Sequence, residues 1–359
     1  MRILILSNLI SYTYIFRLEL IEALLERNNH VIIASDNDDD AKWRKLEKEC
    51  ELIEVPFDGK STEIKKELRL LSSYKRIIKR VKPDIILTFT IKMNLYGGLV
   101  ALWRKIPFIP MITGLGELEK DGKLKALLLS LHRTVMPKAK CVIFQNQSNK
   151  ETFESLGIKI KKGIIVPGSG INLEKYKPQP WPDDERMVFT FIGRLTKAKG
   201  IEEFLYAVHR LSSDKIKFSA AGKIDEEYKE EVKRLCNEGK LDYRGIVSDS
   251  RELLSSSNCL VLPTFHPEGI SNVILEACAS ARPVICTDRT GCREIVTNGY
   301  NGVFCLPQNK DNLVSVISEF ATLPKARMIE MGQNGRRTVE ERFDRRKVVD
   351  AYIKELEKK

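Results

Sequence analysis

Two short stretches of this chain combine charge, glycine and spacing in a way that suits a phosphorylated ligand. In Gly193-Arg194-Leu195-Thr196-Lys197-Ala198-Lys199-Gly200, an arginine and a lysine stand five residues apart between two glycines. A guanidinium offers a planar fork of donors and an ammonium a mobile point charge, a pairing that fits a diphosphate. A basic surface loop would carry the same residue types. The second stretch, Glu268-Gly269-Ile270-Ser271-Asn272-Val273-Ile274-Leu275-Glu276, sets two carboxylates eight residues apart. Gly269 lets backbone approach a ligand closely. Ile270, Ser271 and Asn272 open a helix whose unbonded N–H groups and dipole favour an anion. A carboxylate can accept two hydroxyl hydrogen bonds, which suits a sugar or ribose diol. A helix with surface glutamates is the plainer reading of this stretch alone. Each stretch follows an apolar run, so both can converge on one ligand, and their joint occurrence favours a site.

The elements that must position these residues follow from the hydrophobic pattern. In the first half, apolar runs at 3–6, 31–34, 85–89, 108–112 and 141–144 alternate with helical patterns. That alternation predicts βαβ units and a parallel sheet covered on both faces. Residues 166–185 hold Pro167, Gly168, Gly170, Pro178, Pro180 and Pro182, the composition of a linker. The alternation restarts with runs at 188–192, 217–221, 259–262 and 283–286. The expected organisation is an α/β domain over 1–167, a linker over 168–185 and a second α/β domain over 186–342. A C-terminal helix over 343–359 is expected to cross back to the first domain. In doubly wound sheets ligands bind beyond the carboxyl ends of the strands, where both stretches lie.

Composition narrows the class. The 359 residues are 43% hydrophobic and 30% charged, with a net charge of +11, which describes a folded soluble chain. The longest charge-free stretch, Leu253 to Pro267, is broken by three serines, Asn258 and two prolines, so no membrane-spanning helix is expected. The amino terminus has no signal-peptide core. Eight cysteines without C-x-x-C or metal-ligand spacing read as reduced core thiols in the cytoplasm. After Leu6 the chain runs Ser7-Asn8-Leu9-Ile10-Ser11-Tyr12 without a glycine, against a dinucleotide fingerprint. Gly59-Lys60-Ser61 lacks the first glycine of a P-loop, and Asp38-Asp39-Asp40 reads as a solvated acidic loop. His266 reads as a loop histidine beside Pro267.

The G-R-L-x-K-x-K-G loop, the E-G-x-x-x-x-x-L-E-A helix and the G-x-G-I-N-L stretch at 168–173 resemble retaining glycosyltransferases of family 4. The likeness runs almost end to end. Residues 89–98 and 112–116 are similar to a branch that builds bacterial surface polysaccharides on lipid-linked saccharides. The resemblance implies the GT-B fold, two doubly wound Rossmann-like domains facing each other across a cleft. It implies that Arg194 and Lys199 neutralise the nucleotide diphosphate and that Glu276 holds the ribose. Glu268 would contact the donor sugar near the anomeric carbon, without acting as a nucleophile. Gly193, Gly269, Ile270, Ser271 and Asn272 would complete the cradle, with Ile270 and Ser271 giving backbone N–H groups, and Gly245, Ile246 and Val247 would face the base. On the acceptor side the implied residues are Ser11, Tyr12, Arg17, Lys92, Asn94, Thr113, Gly114 and Gly116. The histidine many members carry after the fourth strand is replaced here by Thr90-Ile91-Lys92, so its role is vacant or passes to Lys92.

The expected reaction is therefore retaining transfer of a hexose-type sugar, with N-acetylgalactosamine the first choice, from a UDP-sugar to a polyprenyl-diphosphate-linked saccharide. No metal or other cofactor is expected, because Arg194, Lys199 and the helix terminus do the neutralising. The charge excess is local: residues 60–140 hold 18 basic and 6 acidic side chains. Over 61–81, Ile64, Leu68, Leu71, Tyr74, Ile78 and Val81 form one helical face among lysines and arginines. This segment predicts docking on an anionic membrane, at the inner face of the plasma membrane. Sheet-packing helices with solvated basic faces are the alternative. Two other classes compete. A nucleotide-sugar epimerase of the same fold needs no second substrate, and a nucleic-acid-binding protein is suggested by charge alone, without a recognition motif.

Overall fold

Nine apolar runs become nine strands because each is buried on both faces. The computed structural model describes residues 1–59, 63–114, 118, 123–265 and 269–358. Its chain forms two units, Met1–Ser169 with Arg345–Lys359, and Gly170–Asp344.

The first unit is a seven-stranded parallel sheet of order β3-β2-β1-β4-β5-β6-β7. The strands are β1 (Arg2–Leu9), β2 (His30–Asp36), β3 (Glu51–Glu54), β4 (Ile85–Phe89), β5 (Phe108–Ile112), β6 (Val142–Phe144) and β7 (Gly163–Ile165). Successive side chains point to opposite faces of a strand. Ile3 and Ile5 accordingly pack with α1 (Ile10–Glu26) and the last helix, α13 (Arg345–Glu357). Leu4 and Leu6 enter the opposite layer, with α3 (Ile64–Val81), α4 (Gly98–Arg104), α5 (Lys123–Val135) and α6 (Gln147–Ser155). Helix α13 is tied to α1 by Arg345, whose guanidinium meets both carboxylate oxygens of Glu19 at 2.8 Å.

The second unit is a six-stranded parallel sheet of order β10-β9-β8-β11-β12-β13. Its strands are β8 (Met187–Ile192), β9 (Ile216–Ala221), β10 (Leu241–Tyr243), β11 (Cys259–Leu262), β12 (Val284–Thr287) and β13 (Gly302–Cys305). Its helices are α7 (Ile201–Leu211), α8 (Lys229–Asn237), α9 (Arg251–Ser255), α10 (Asn272–Ala279), α11 (Lys310–Ala321) and α12 (Lys325–Arg342), with α7 and α10 following the two motif loops. Residues from Gly170 onward belong to this unit: Ile171 is buried and bridges to Asp344, and Arg336 donates to the Tyr176 carbonyl at 2.6 Å. In each sheet the strand order reverses once, between β1 and β4 and between β8 and β11. Ligands of such sheets bind at that reversal.

Two sequence expectations change. The acidic run at 38–40 is not simply a solvated loop: Asp39 caps α2 (Asp40–Leu46) by accepting from the Lys42 amide at 3.0 Å. The apolar face expected over 61–81 is buried only from Leu70 onward, through Tyr74, Ile77, Ile78 and Val81. Ile64 is 75% exposed and Leu68 59% exposed, because α3 extends past the layer it packs on. The eight cysteines are free thiols, all buried except the half-buried Cys236.

Candidate active site

In the second unit three loops at the carboxyl edge of the sheet are bonded to one another. The loop after β8 begins at Gly193, whose amide donates to Ala221 at 2.9 Å. It ends at Gly200, where the backbone adopts φ +80° and lies so close to Pro263 that a Cβ would sit 2.2 Å from its carbonyl oxygen. Only glycine satisfies both conditions. Between them, the Ala198 carbonyl accepts from the Phe265 amide at 3.1 Å and from the Thr264 hydroxyl at 3.2 Å. The chain leading from β11 to α10 is thereby fastened to the Arg194–Lys199 loop.

The third loop follows β10. The Gly245 carbonyl accepts from the Gly222 amide at 2.7 Å, and Ser250 donates through Oγ to the Glu276 carboxylate at 2.6 Å. Sequence reasoning did not single out Ser250, since a lone serine carries no motif. Ile246 is exposed and Val247 packs partly against the core.

The charges differ in setting. Arg194 is exposed, whereas Lys199 is half-buried. Burial lowers the Lys199 ammonium first, the Arg194 charge adds to this, and Cys292 opposes it, leaving the lysine at about 8. The chain reaches α10 through Gly269, Ile270 and Ser271. The Ser271 amide donates to the Gly291 carbonyl at 3.3 Å, so its expected place as a cradle donor is already taken. Its hydroxyl, by contrast, is buried with no hydrogen-bond partner among the described residues. Asn272 starts α10, whose first N–H groups have no earlier helical carbonyl to meet. Glu268, with His266 and Pro267, lies outside the described residues. Arg194, Lys199, Ser250 and Glu276 together offer two cations for a diphosphate and a carboxylate for a diol.

The residues expected on the acceptor side lie in the first unit. Thr90, just after β4, has φ +72°, costly for a β-branched side chain and a mark of functional backbone. A π-helical turn, Met93–Gly97, follows. Such turns are rare and frequent at functional sites. Asn94 is buried within it, accepting from the Thr88 hydroxyl at 2.7 Å and donating to the Met111 carbonyl at 2.8 Å. Lys92 is paired with Glu67 at 2.6 Å and donates to the Asp58 carbonyl at 3.1 Å, so α3 anchors it. Ser11 is bound to Asp38 through both amide and hydroxyl, at 3.0 and 2.5 Å, and Tyr12 is exposed. Arg17 is buried at the ends of β4 and β5, its guanidinium 4.4 Å from the Phe89 ring centroid. Thr113 and Gly114 follow β5, and Gly116 lies outside the described residues.

Two doubly wound α/β units, each a parallel sheet covered by helices on both faces, make up the GT-B fold. Solved structures agree. The chain superposes on Anabaena Alr3699/HepE, crystallised with UDP and glucose, with TM-score 0.80 at 18% identity over 99% of each chain. Sucrose-phosphate synthase from Thermosynechococcus elongatus gives TM-score 0.79 at 18% identity, over 99% of this chain and 98% of that one.

The family follows from sequence comparison. Residues 172–338 match the model of glycosyl transferases group 1, and residues 2–146 match that of glycosyl transferase 4-like domains. The N,N'-diacetylbacillosaminyl-diphospho-undecaprenol alpha-1,3-N-acetylgalactosaminyltransferase of Campylobacter jejuni is 31% identical over 337 residues, 89% of each chain. The capsular polysaccharide biosynthesis glycosyltransferase CapM of Staphylococcus aureus is 26% identical, over 78% of this chain and 80% of its own length. This chain is a glycosyltransferase of that family.

Proposed function

We propose that this enzyme transfers a hexose-type sugar, N-acetylgalactosamine in the first instance, from a UDP-sugar to a saccharide carried on a polyprenyl diphosphate, with retention at the anomeric carbon. The observation that carries the donor half is the convergence of Arg194, Lys199 and the Ser250–Glu276 pair on one sheet edge. UDP in the HepE structure supports the nucleotide, and the Campylobacter relative's name supports the acceptor.

Negative charge builds on the β-phosphate as the glycosidic bond breaks, so preorganised cations there supply the main stabilisation. Arg194 reaches the leaving diphosphate as a fork, Lys199 as a point charge, and Glu276 fixes the ribose. Glu268 is assigned to the donor sugar hydroxyls and Ile246 to the base. Retention places the acceptor hydroxyl on the face the nucleotide leaves, with a donor phosphate oxygen taking its proton. No metal is needed to neutralise the diphosphate in this scheme, and full activity in excess EDTA is the expected result. Restoration by Mn²⁺ of an EDTA-abolished reaction would overturn that assignment.

The acceptor half docks on anionic lipid, at the inner face of the plasma membrane. Ile64 and Leu68 at the start of α3, and Leu127 near the start of α5, are exposed among lysines and arginines. Both helices follow parallel strands, so their starts lie at the same edge of the sheet. No helix among the described residues is long and apolar enough to cross a membrane.

The deciding experiment is a panel of UDP-sugars with undecaprenyl-diphosphate-linked N,N'-diacetylbacillosamine, read by nucleotide release and by NMR of the new anomeric centre. UDP release dependent on the acceptor, with an α-linked product from an α-linked donor, is expected. An inverted product, or turnover of nucleotide sugar without any acceptor, would reject the proposal.

A further inference from the structure

Arg17 is a charge that the first unit buries without a matching carboxylate. It is 6% exposed, and its hydrogen bonds go to uncharged acceptors: the Phe16 carbonyl at 3.0 Å, the Ser169 hydroxyl at 3.3 Å and the Met111 thioether at 3.2 Å. The Phe89 ring covers one face of the guanidinium. Among the described residues no carboxylate pairs with it. The nearby Glu19 is engaged by Arg345. Burial lowers Arg17 to about 10; Tyr352 and Glu19 oppose the shift and the Arg345 charge adds to it. Desolvating a cation without a counter-charge is costly. A structural role in packing α1 against β4 and β5 needs no charge at all.

The place explains the cost. Arg17 reaches the carboxyl ends of β4 and β5, beside the reversal of strand order between β1 and β4, where parallel sheets bind ligands. Gln145, just after β6, donates to Ser169 Oγ at 3.2 Å and is itself buried, so the hydroxyl that meets Arg17 is held from behind. The strained Thr90 and the buried Asn94 lie on the same edge, with Asn94 bonded to the carbonyl of the same Met111.

We propose that Arg17, backed by Gln145 and Ser169, is a phosphate subsite that takes an oxyanion of the acceptor's diphosphate. It rests on the reading of the acceptor given above and adds the residue that tells a phosphorylated carrier from an uncharged one. A guanidinium held rigidly on three sides meets a phosphate oxygen with little entropy left to lose. Arg17 is thus a binding residue of the first unit, separate from the Arg194–Lys199 pair that serves the donor.

The test compares one saccharide on two carriers, polyprenyl diphosphate and an uncharged polyprenyl ether. The wild-type enzyme is expected to favour the diphosphate carrier in kcat/KM. Arg17→Gln is expected to lose about tenfold or more of that preference while KM for the UDP-sugar stays unchanged, and Arg17→Lys to recover part of it. A folded Arg17→Gln enzyme with its preference intact overturns the proposal.

Because Arg17 also packs α1 against the sheet, a second measurement uses the wild-type chain. Its ¹⁵N-arginine Nε–H resonances are followed while methylenediphosphonate is added in the presence of saturating UDP, which occupies the donor site. A shift of the Arg17 resonance, assigned by its disappearance in Arg17→Lys, supports the subsite; no shift rejects it. Should the wild type use neither carrier, the acceptor reading fails on its own, and the resonance still decides whether Arg17 binds a diphosphate.

Discussion

The two units share one architecture and use it in opposite ways. In the second unit the charged groups lie on loops around glycines, Arg194 in the open and Lys199 half-buried, and the loops are stitched by backbone bonds such as Phe265 to Ala198. In the first unit the polar groups at the equivalent edge are side chains sunk into the fold: Arg17, Asn94, Gln145 and Ser169 are all buried. The second unit carries an almost balanced charge, while residues 60–140 of the first hold the basic excess. A diphosphate with a ribose is the same ligand for every member that uses it, so a short fixed loop can serve. On the proposed function, an acceptor carried in a membrane calls instead for a broad field and for residues chosen case by case.

The sharpest way to test this division is to remove the donor cations. Arg194→Ala or Lys199→Ala is expected to lower turnover by about 10²–10³-fold, as loss of one preorganised donor does. Partitioning onto vesicles should be unchanged, since neither residue belongs to the basic segment. Steady-state rates beside a melting curve decide it. Near wild-type turnover in either variant would place the diphosphate elsewhere.

How much of this was legible beforehand depended on where a residue lies in its sheet. The strands at 85–89, 108–112 and 259–262 appear with the expected boundaries, because a strand buried on both faces must be a continuous apolar run. The four strands the pattern did not reveal are β3, β7, β10 and β13, and these are the four sheet edges. An edge strand is covered on one side only, so Glu51–Glu54 and Gly163–Ile165 carry too few apolar residues to stand out. The donor loops were legible for the opposite reason: glycines such as Gly200 are fixed by close approach, which leaves a mark in the sequence. Thr90's left-handed backbone, the π-helical turn and the Thr88–Asn94–Met111 bonds left none. They arise from tertiary contacts between residues of ordinary type. Helical periodicity over 61–81 gave the helix and not its surroundings, since it cannot say where the supporting layer ends.

A second substitution addresses the stitching of the donor loops. Gly200→Ala puts a methyl group against the Pro263 carbonyl at a backbone angle that disfavours any side chain. A loss of about 1–3 kcal/mol of stability is expected, together with weakened UDP binding, because the same contact aligns the loop with the approach to α10. Chemical denaturation followed by nucleotide titration measures both. A variant as stable as the parent would show that the loop can move away from Pro263 at no cost.

Proton linkage gives a smaller effect with a definite sign. With Lys199 at about 8, raising the pH from 7 to 9 removes its ammonium in the free enzyme, and UDP affinity should fall by roughly tenfold. Lys199→Arg should flatten this dependence. Stability should move the other way. The folded lysine lies below its ordinary value of 10.5, so between about 8 and 10.5 the unfolded chain binds more protons and folding gains as pH rises. Calorimetric titration at several pH values, with the arginine variant as control, separates the two trends. Affinity that is level across this range would show that Lys199 stays charged and lies more open to solvent.

The mildest change probes the first unit's surface. Ile64 and Leu68 stand outside the core, so Ile64→Ser with Leu68→Ser should leave the melting temperature and UDP affinity unaltered. If those side chains enter lipid, partitioning onto anionic vesicles should drop by about fivefold, less than full burial of two such residues would contribute. Raising the salt should weaken binding of parent and variant alike, since the neighbouring lysines and arginines still supply most of the attraction. Flotation on vesicles with and without anionic lipid reads all of this directly. Equal partitioning onto neutral and anionic vesicles would remove the membrane from the first unit's role. An unaffected serine variant with intact salt dependence would leave charge alone to hold the enzyme on the lipid, and Ile64 and Leu68 would then belong to the acceptor's polyprenyl chain or to no ligand.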